Sequence, residues 1–240
     1  MTEVIDKGLI VNPEKDEIVQ SGDKEYYCRA LKTKLVTAED TLSDIIAEYA
    51  KPYVNEGDIL FISEKMIACL QKRAIPISSI KPGFFARFLS RFVTKPPIGV
   101  ALNMPEMMQC AIDEGGLPRI LLATIAGAIG KLFRRKGWFY RVAGQRVASI
   151  DGPNEYTIPP YNNYIVLAPL DADKTAESIA DMLDGVIVLI VDVNDLGANI
   201  LGRSEEVDTD LITDLLKQNP LGQGDQSTPM GVLTPSLFSE

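Results

Sequence analysis

Val186 to Val191 is an unbroken apolar run, and no other segment limits the fold of this chain so strongly. A strand with no polar side belongs in the middle of a sheet covered on both faces. Ile59–Ser63 has the same character, and its C-terminal end carries Ser63-Glu64-Lys65, at the edge where ligands commonly bind in α/β sheets. Asp173–Leu183 spaces Ala176, Ile179, Ala180 and Leu183 along one helical face. Together these segments predict the α+β class, with mixed β-sheets and flanking helices. At 240 residues the chain can bury a substantial core without disulfides or metal. The expectation is a single domain over 1–240, with sub-domains around 1–145 and 146–240.

The first forty residues read as short strands ending near Leu31–Val36. Thr37-Ala-Glu-Asp-Thr41 has the hydroxyl and acidic residues of a helix start, and Leu42, Ile45, Ile46 and Tyr49 give that helix its apolar face up to Pro52. Asn55-Glu-Gly57-Asp58 is a turn. In Lys81–Pro97 arginines alternate with Phe84, Phe85, Phe88 and Phe92. Interleaved Arg and Phe could serve a nucleic-acid surface, but the expectation favoured by the spacing is an amphipathic helix with phenylalanines in the core and arginines in water. Pro105–Glu114 is a further short helix. Gly130-Lys131 fails as a phosphate loop, because Ile125 stands where a glycine is required and Leu132 replaces Ser/Thr. Lys131, Arg134, Arg135, Lys136 and Arg141 are therefore read as a solvated helix end, with a phosphate or dimer contact as the alternative. Val147–Ile150 is read as strand-like, Ile158–Asn163 as a loop, Ile165–Leu167 as a strand, and Thr209–Gln218 as a helix before the loop Asn219–Pro229.

The chain contains no histidine. Ser-His-Asp and Cys-His nucleophiles, imidazole–zinc sites and imidazole proton shuttles are excluded with it. A metal here must take oxygen ligands, which favours Mg²⁺, Mn²⁺ or Ca²⁺. Lys and Arg number 24 against 33 Asp and Glu, a net charge of −9 that argues against nucleic acid as a partner. Cys28, Cys69 and Cys110 form no CxxC pair and suit a reducing compartment. The N-terminus has no apolar h-region, and the apolar stretch Ile120–Ile129 is about half of what a membrane span needs. A cytoplasmic protein with no membrane partner is expected.

Three turns carry acids and amides: Asp151-Gly-Pro-Asn154, Asp192-Val-Asn194-Asp195, and Leu221-Gly-Gln223-Gly-Asp225-Gln226. Carboxylates on sheet-end loops, without histidine, are the donors a magnesium–phosphate site uses, although Asp, Asn and Gly are also ordinary turn residues. In these motifs the chain resembles the coenzyme F420-0:γ-glutamyl ligase family, whose members add glutamate to a deazaflavin precursor using GTP and a divalent metal. The likeness runs from about Leu31 to Pro235. Ser149-Ile150-Asp151-Gly-Pro-Asn154 is similar to the family's Gly-Ile-Asp-x-Ser-Asn motif, which implies a metal role for Asp151 and a nucleotide role for Asn154. Leu167-Ala-Pro169-Leu-Asp171-Ala-Asp173 resembles the following Leu-Pro-x-Asp-Pro-Asp segment. The second metal motif falls on Asp192 or on Asp195. Gly222-Gln223-Gly224-Asp225-Gln226 looks like the family's Gly-Gln-x-Asp-Glu loop, implying Gln223 as a metal ligand and Leu221, Gly222, Gly224, Asp225 and Gln226 as nucleotide contacts. Gly57-Asp58-Ile59-Leu60 and Ser63-Glu64-Lys65 resemble its Gly-Asp strand and nucleotide-binding turn, which gives Ser63 and Glu64 that role.

Gly197-Ala-Asn-Ile-Leu201 stands where the family has Gly-Arg-Pro-Trp-Arg, so two arginines and a ring suited to an anionic planar substrate are missing. The resemblance implies a homodimer and an amide-forming ligase. It would act on a small-molecule carboxylate and an amino acid, with GTP or ATP as co-substrate and Mg²⁺ or Mn²⁺ as the ion. The contrasting reading is a nucleotide- and metal-binding sensor on the same fold, without turnover.

Overall fold

The computed structural model describes residues 3–4, 8–93, 102–135, 137–194, 197–222 and 224–236. The first elements are β1 (Glu3–Val4), β2 (Leu9–Val11), β3 (Ile18–Ser21), β4 (Lys24–Leu31), α1 (Leu42–Tyr49), β5 (Ile59–Ser63) and α2 (Glu64–Leu70). Next come β6 (Ala74–Pro76), α3 (Phe84–Ser90), α4 (Pro105–Gly115), α5 (Leu117–Leu132), α6 (Trp138–Ala143), α7 (Gln145–Ala148) and β7 (Tyr164–Val166). The chain ends with α8 (Ala172–Met182), β8 (Ile187–Asn194), β9 (Gly197–Arg203), α9 (Thr209–Leu215) and β10 (Met230–Pro235). The contacts divide it into two compact units, Met1–Lys72 with Pro169–Glu240, and Arg73–Ala168.

The first unit is built on one sheet in the order β1-β2-β4-β10-β5-β8-β9, with β3 also pairing β4. Among the described residues only β5 and β8 run parallel, in register from Ile59↔Ile187 to Ser63↔Val191, so the sheet is mixed. Successive side chains alternate between its faces. Leu60, Ile62, Val188, Ile190, Met230 and Val232 enter one core with Ile45, Ile46 and Ile179 from α1 and α8. Ile59, Phe61, Leu189, Val191 and Leu233 enter the other with Ile212 and Leu215 from α9. Both alternating sets are therefore apolar, which is why the run from Val186 to Val191 has no polar member. Each such side chain contributes roughly 1.5–3 kcal/mol by leaving water.

The first helix starts later than its sequence signals indicate. Thr41 is the cap, its hydroxyl accepting from the Asp44 amide at 3.3 Å. Thr37 is instead held in a turn, where its amide donates to Asp40 Oδ2 at 2.7 Å and Lys34 pairs with the same carboxylate. Two Thr residues four apart offered equivalent caps, and the Asp40 turn consumed the first.

The second unit begins and ends on a two-stranded sheet of β6 and β7. The Leu167 amide donates to the Arg73 carbonyl at 3.0 Å. This pairing brings the unit's two ends together, so the division of the chain falls at 72/73 and 168/169 and not near 145. Its core gathers Leu89, Met108, Ala111, Ile120, Ala123, Val147 and Ile165. Glu114 is held there between Arg73 and Arg146, at 2.8 and 2.7 Å.

Two local expectations fail in this unit. Residues 145–148 form α7 and not a strand, because Gly144 ends α6 at φ 94° and Val147 then turns into the helical core. The phenylalanines of α3 are not in the core. Phe84 is 75% exposed, and Phe85, Phe88 and Phe92 are also exposed, while Ala86, Leu89 and Ser90 are buried. Both faces of that helix are apolar, so periodicity alone could not choose between them. The small side chains turn inward, and the rings pack on one another, Phe84 stacked on Phe88 and Phe88 edge-on to Phe92. Among the described residues no single helix is long and apolar enough to cross a membrane.

Cys28 lies on β4 in the first unit, 2% exposed, and burial pushes its thiol up to about 12. An unfolded cysteine ionises near 8.5, so above that pH the unfolded chain releases a proton that the native chain keeps. The stability contributed by this group is therefore complete below about pH 8.5 and is lost as pH rises toward about 12. Urea unfolding of wild type should weaken over that window by up to roughly 1.4 kcal/mol per pH unit more steeply than Cys28→Ala. Parallel slopes for the two proteins would show that the thiol does not titrate in this way.

Candidate functional site

The parallel pair β5–β8 sets the geometry of the candidate site in the first unit. The register Ser63↔Val191 brings the C-terminal ends of both strands to the same sheet edge, with Asp192 one residue beyond. In β8 the alternation places Asp192 on the face of Val188 and Ile190, past the limit of their core, where it is half-buried. The Asn194 side-chain amide donates toward Asp192 Oδ1 at 3.5 Å. β10 runs antiparallel to β5, so its N-terminal end reaches the same edge. The Ser63 amide donates to the Pro229 carbonyl at 2.8 Å, which fastens the end of the Asn219–Pro229 loop beside the strand.

That loop is anchored by residues that carried no signal in the sequence. Asn12, 3% exposed after β2, donates through Nδ2 to the Pro220 carbonyl at 2.8 Å and to Thr228 Oγ1 at 3.0 Å. The Thr228 hydroxyl donates to the Leu221 carbonyl at 2.7 Å, closing the loop on itself. The Thr33 amide donates to the Ser227 carbonyl at 2.8 Å, and Ser227 takes the left-handed conformation at φ 56°. Removing the Asn12 amide would leave buried acceptors without donors, at a cost of about 1–3 kcal/mol. A lone Asn two hundred residues upstream is invisible to pattern reading, because only the pairing of β2, β4 and β10 brings it near.

The side chains expected to touch nucleotide have defined local partners. Ser63 caps α2, its hydroxyl accepting from the Lys65 amide at 3.3 Å. Glu64 is buried in the first turn of that helix. Leu221 is buried in the core, so it offers the loop its backbone only. Gly222 is at φ 75°, and Gln226 Oε1 accepts from the Gly224 amide at 2.8 Å, while Asp225 is exposed. Gly197–Leu201 forms most of the edge strand β9, with Ala198 and Ile200 packing on the core below.

Asp151 and Asn154 belong to the second unit. The Asp151 backbone makes a bridge with Val166, donating at 2.8 Å and accepting at 2.9 Å. Asn154 Oδ1 accepts from the Tyr156 amide at 3.0 Å, the side-chain turn that Asx residues commonly form. Asp195 and Gln223 lie outside the described residues.

The oxygen donors on the Asp192 face of this sheet end are the Asp192 carboxylate and the Asn194 side-chain carbonyl, while the Ser63 hydroxyl, in register with Val191, lies on the opposite face. These hard oxygens fit Mg²⁺ or Mn²⁺ in kind and do not fit zinc. Among the described residues no three or more His, Cys, Asp or Glu side chains cluster. A family model described as F420-0:Gamma-glutamyl ligase matches residues 30–195, spanning β5, the Asp151 turn and β8. No curated protein matches the chain.

Proposed function

Because the chain belongs to the F420-0:gamma-glutamyl ligase family, we propose that it is an amide-forming ligase that consumes GTP or ATP with Mg²⁺ or Mn²⁺. The observation that carries this reading is that the C-terminal ends of the parallel pair β5–β8, with Asp192, and the end of the Asn219–Pro229 loop meet at one end of the sheet. In the proposed reaction a carboxylate oxygen of the acceptor attacks the γ-phosphorus, and the nucleoside diphosphate leaves. The amine nitrogen of an amino acid then attacks the acyl phosphate carbonyl, losing a proton as inorganic phosphate departs. Asp192 or Asp195 with Gln223 would hold the ion, which would neutralise charge on the phosphates, and Asp151 keeps the metal role that its motif implies. Asn154 and the segment from Leu221 to Gln226 keep the nucleotide roles of their motifs.

This route uses no protein nucleophile, which agrees with a chain without histidine. It also agrees with thiols that burial makes unreactive, Cys28 at about 12 and Cys110 at about 11. The acceptor is a less anionic carboxylate than the deazaflavin precursor, because β9 replaces the family's two arginines and aromatic ring with Ala198, Ile200 and Leu201. Incubation with GTP or ATP, Mn²⁺, glutamate and a panel of carboxylates, with the deazaflavin precursor included, tests this. Phosphate release that requires both acceptor and amine is the expected result. Tight nucleotide binding without release under any combination would favour the sensor reading, and rapid use of the deazaflavin precursor would refute the acceptor argument.

A further inference from the structure

The second unit displays an apolar surface that its own core does not use. Along α5, Leu121, Leu122, Ile125, Ala128, Ile129 and Leu132 fall within a stripe roughly 120° wide at 100° per residue, and all six are exposed. Leu122 is 61%, Ile125 58% and Leu132 79% exposed. The opposite side of the helix, with Ile120 and Ala123, is the one that is buried. On α3 and in the turn after it the exposed rings of Phe84, Phe85, Phe88 and Phe92 form a second ridge. The C-terminal ends of the two ridges meet where Lys131 Nζ donates to the Phe92 carbonyl at 3.4 Å. So much exposed apolar area marks an interaction surface.

Charge says what covers it. Residues 73–168 hold twelve Lys and Arg against five Asp and Glu, a net +7 inside a chain of −9. Residues 79–105 and 115–150, which contain both ridges, include no acid at all. Arg87 and Arg91 are exposed beside the phenylalanines, and Lys131, Arg134 and Arg135 are exposed at the end of the aliphatic stripe. Apolar ridges edged by cations are the pattern of helices that lie in the headgroup region of anionic membranes. A self-complementary contact with a second copy would oppose +7 to +7. Nucleic-acid bases could stack only on the phenylalanines, and the aliphatic stripe of α5 would then stay in water. At 16 residues α5 is about 24 Å long, short of the roughly 30 Å hydrocarbon core, so it suits lying on the surface and not crossing.

We propose that the α3–α5 face of this unit docks the protein on anionic lipid bilayers, with Leu122, Ile125 and the phenylalanines inserted and Arg134 and Arg135 on the headgroups. The inference is independent of the ligase reading, and its readout does not involve turnover. The test is flotation of the full chain with vesicles of phosphatidylcholine alone and of phosphatidylcholine mixed with phosphatidylglycerol. Binding to the mixed vesicles only, weakened by salt, is the expected result. Leu122→Glu with Ile125→Glu, and separately Arg134→Glu with Arg135→Glu, should each lower binding at least about tenfold. All four positions are exposed, and unchanged circular dichroism would verify the fold. The proposal is overturned by absence of binding to mixed vesicles, by equal binding to both vesicle types, or by indifference to both double variants. Sedimentation velocity showing a dimer that Leu122→Glu with Ile125→Glu dissociates, without vesicle binding, would assign the face to a second copy. Binding of single-stranded DNA in place of vesicles would assign it to nucleic acid, and either outcome overturns the proposal.

Discussion

Gly231→Ala is expected to destabilise the first unit by about 3 kcal/mol or more, a large share of the stability of an ordinary domain. Gly231 sits on β10 directly opposite Phe61 of β5, near the middle of the sheet. A Cβ built on it would collide with the Phe61 ring, a side chain with no exposed surface. Neither partner can yield. The ring is packed among Leu189, Val191 and Leu233, and β10 is hydrogen-bonded on both sides by β4 and β5. Urea unfolding measures the loss. Phe61→Leu should cost stability alone yet recover part of it when combined with Gly231→Ala, giving a coupling of roughly 1–3 kcal/mol in a double-mutant cycle. A change below about 0.5 kcal/mol for Gly231→Ala would mean that the two strands tolerate a Cβ at this crossing.

Asp192→Asn is the second change expected to have a large effect, on turnover and not on folding. Asn keeps the shape and one oxygen but removes the negative charge that a divalent ion and phosphate oxygens require. Metal-dependent turnover should fall on the order of a hundredfold or more. The stabilisation that Mn²⁺ with nucleotide gives the wild-type protein should largely disappear, while the melting temperature without ligands stays close to wild type. The half-buried position of Asp192 at the end of β8, where no core packing depends on it, is the reason for that separation. Asp195→Asn is the matched control. If it alone abolishes metal-dependent stabilisation, the second metal aspartate is Asp195 and Asp192 is a strand-end residue.

Much of the first unit was legible from local pattern. The runs at Ile59–Ser63 and Val186–Val191 could only be central strands, and they pair with each other. The helical spacing of Ala176, Ile179 and Ala180 appears in α8 as the face it buries. β9 and β10 were not legible. Gly197, Gly202, Gly231 and Pro235 weaken their strand signal, and each is a strand because a neighbour supplies its hydrogen bonds. Turn chemistry at the end of each apolar run marks Ser63, Asp192 and the loop near Leu221 in the sequence. Asn12, which ties that loop down, was out of reach, because its partners lie 208 and 216 residues away.

What the sequence determined by itself is therefore what depends on near neighbours: the buried strands, most helices, an oxygen-only donor set and a family resemblance carried by short motifs. Tertiary structure alone decided which of two apolar faces a helix buries. In α3 the sequence offers phenylalanines on one side and Ala86 with Leu89 on the other. Close packing against α4 admitted the small side chains and left the rings outside. Along α5 the same rule turned Ile120 and Ala123 inward and left Leu122, Ile125 and Leu132 in solvent. Hydrophobicity is a property of each residue, but burial belongs to the volume left by its neighbours, and that volume exists only once the helices have come together.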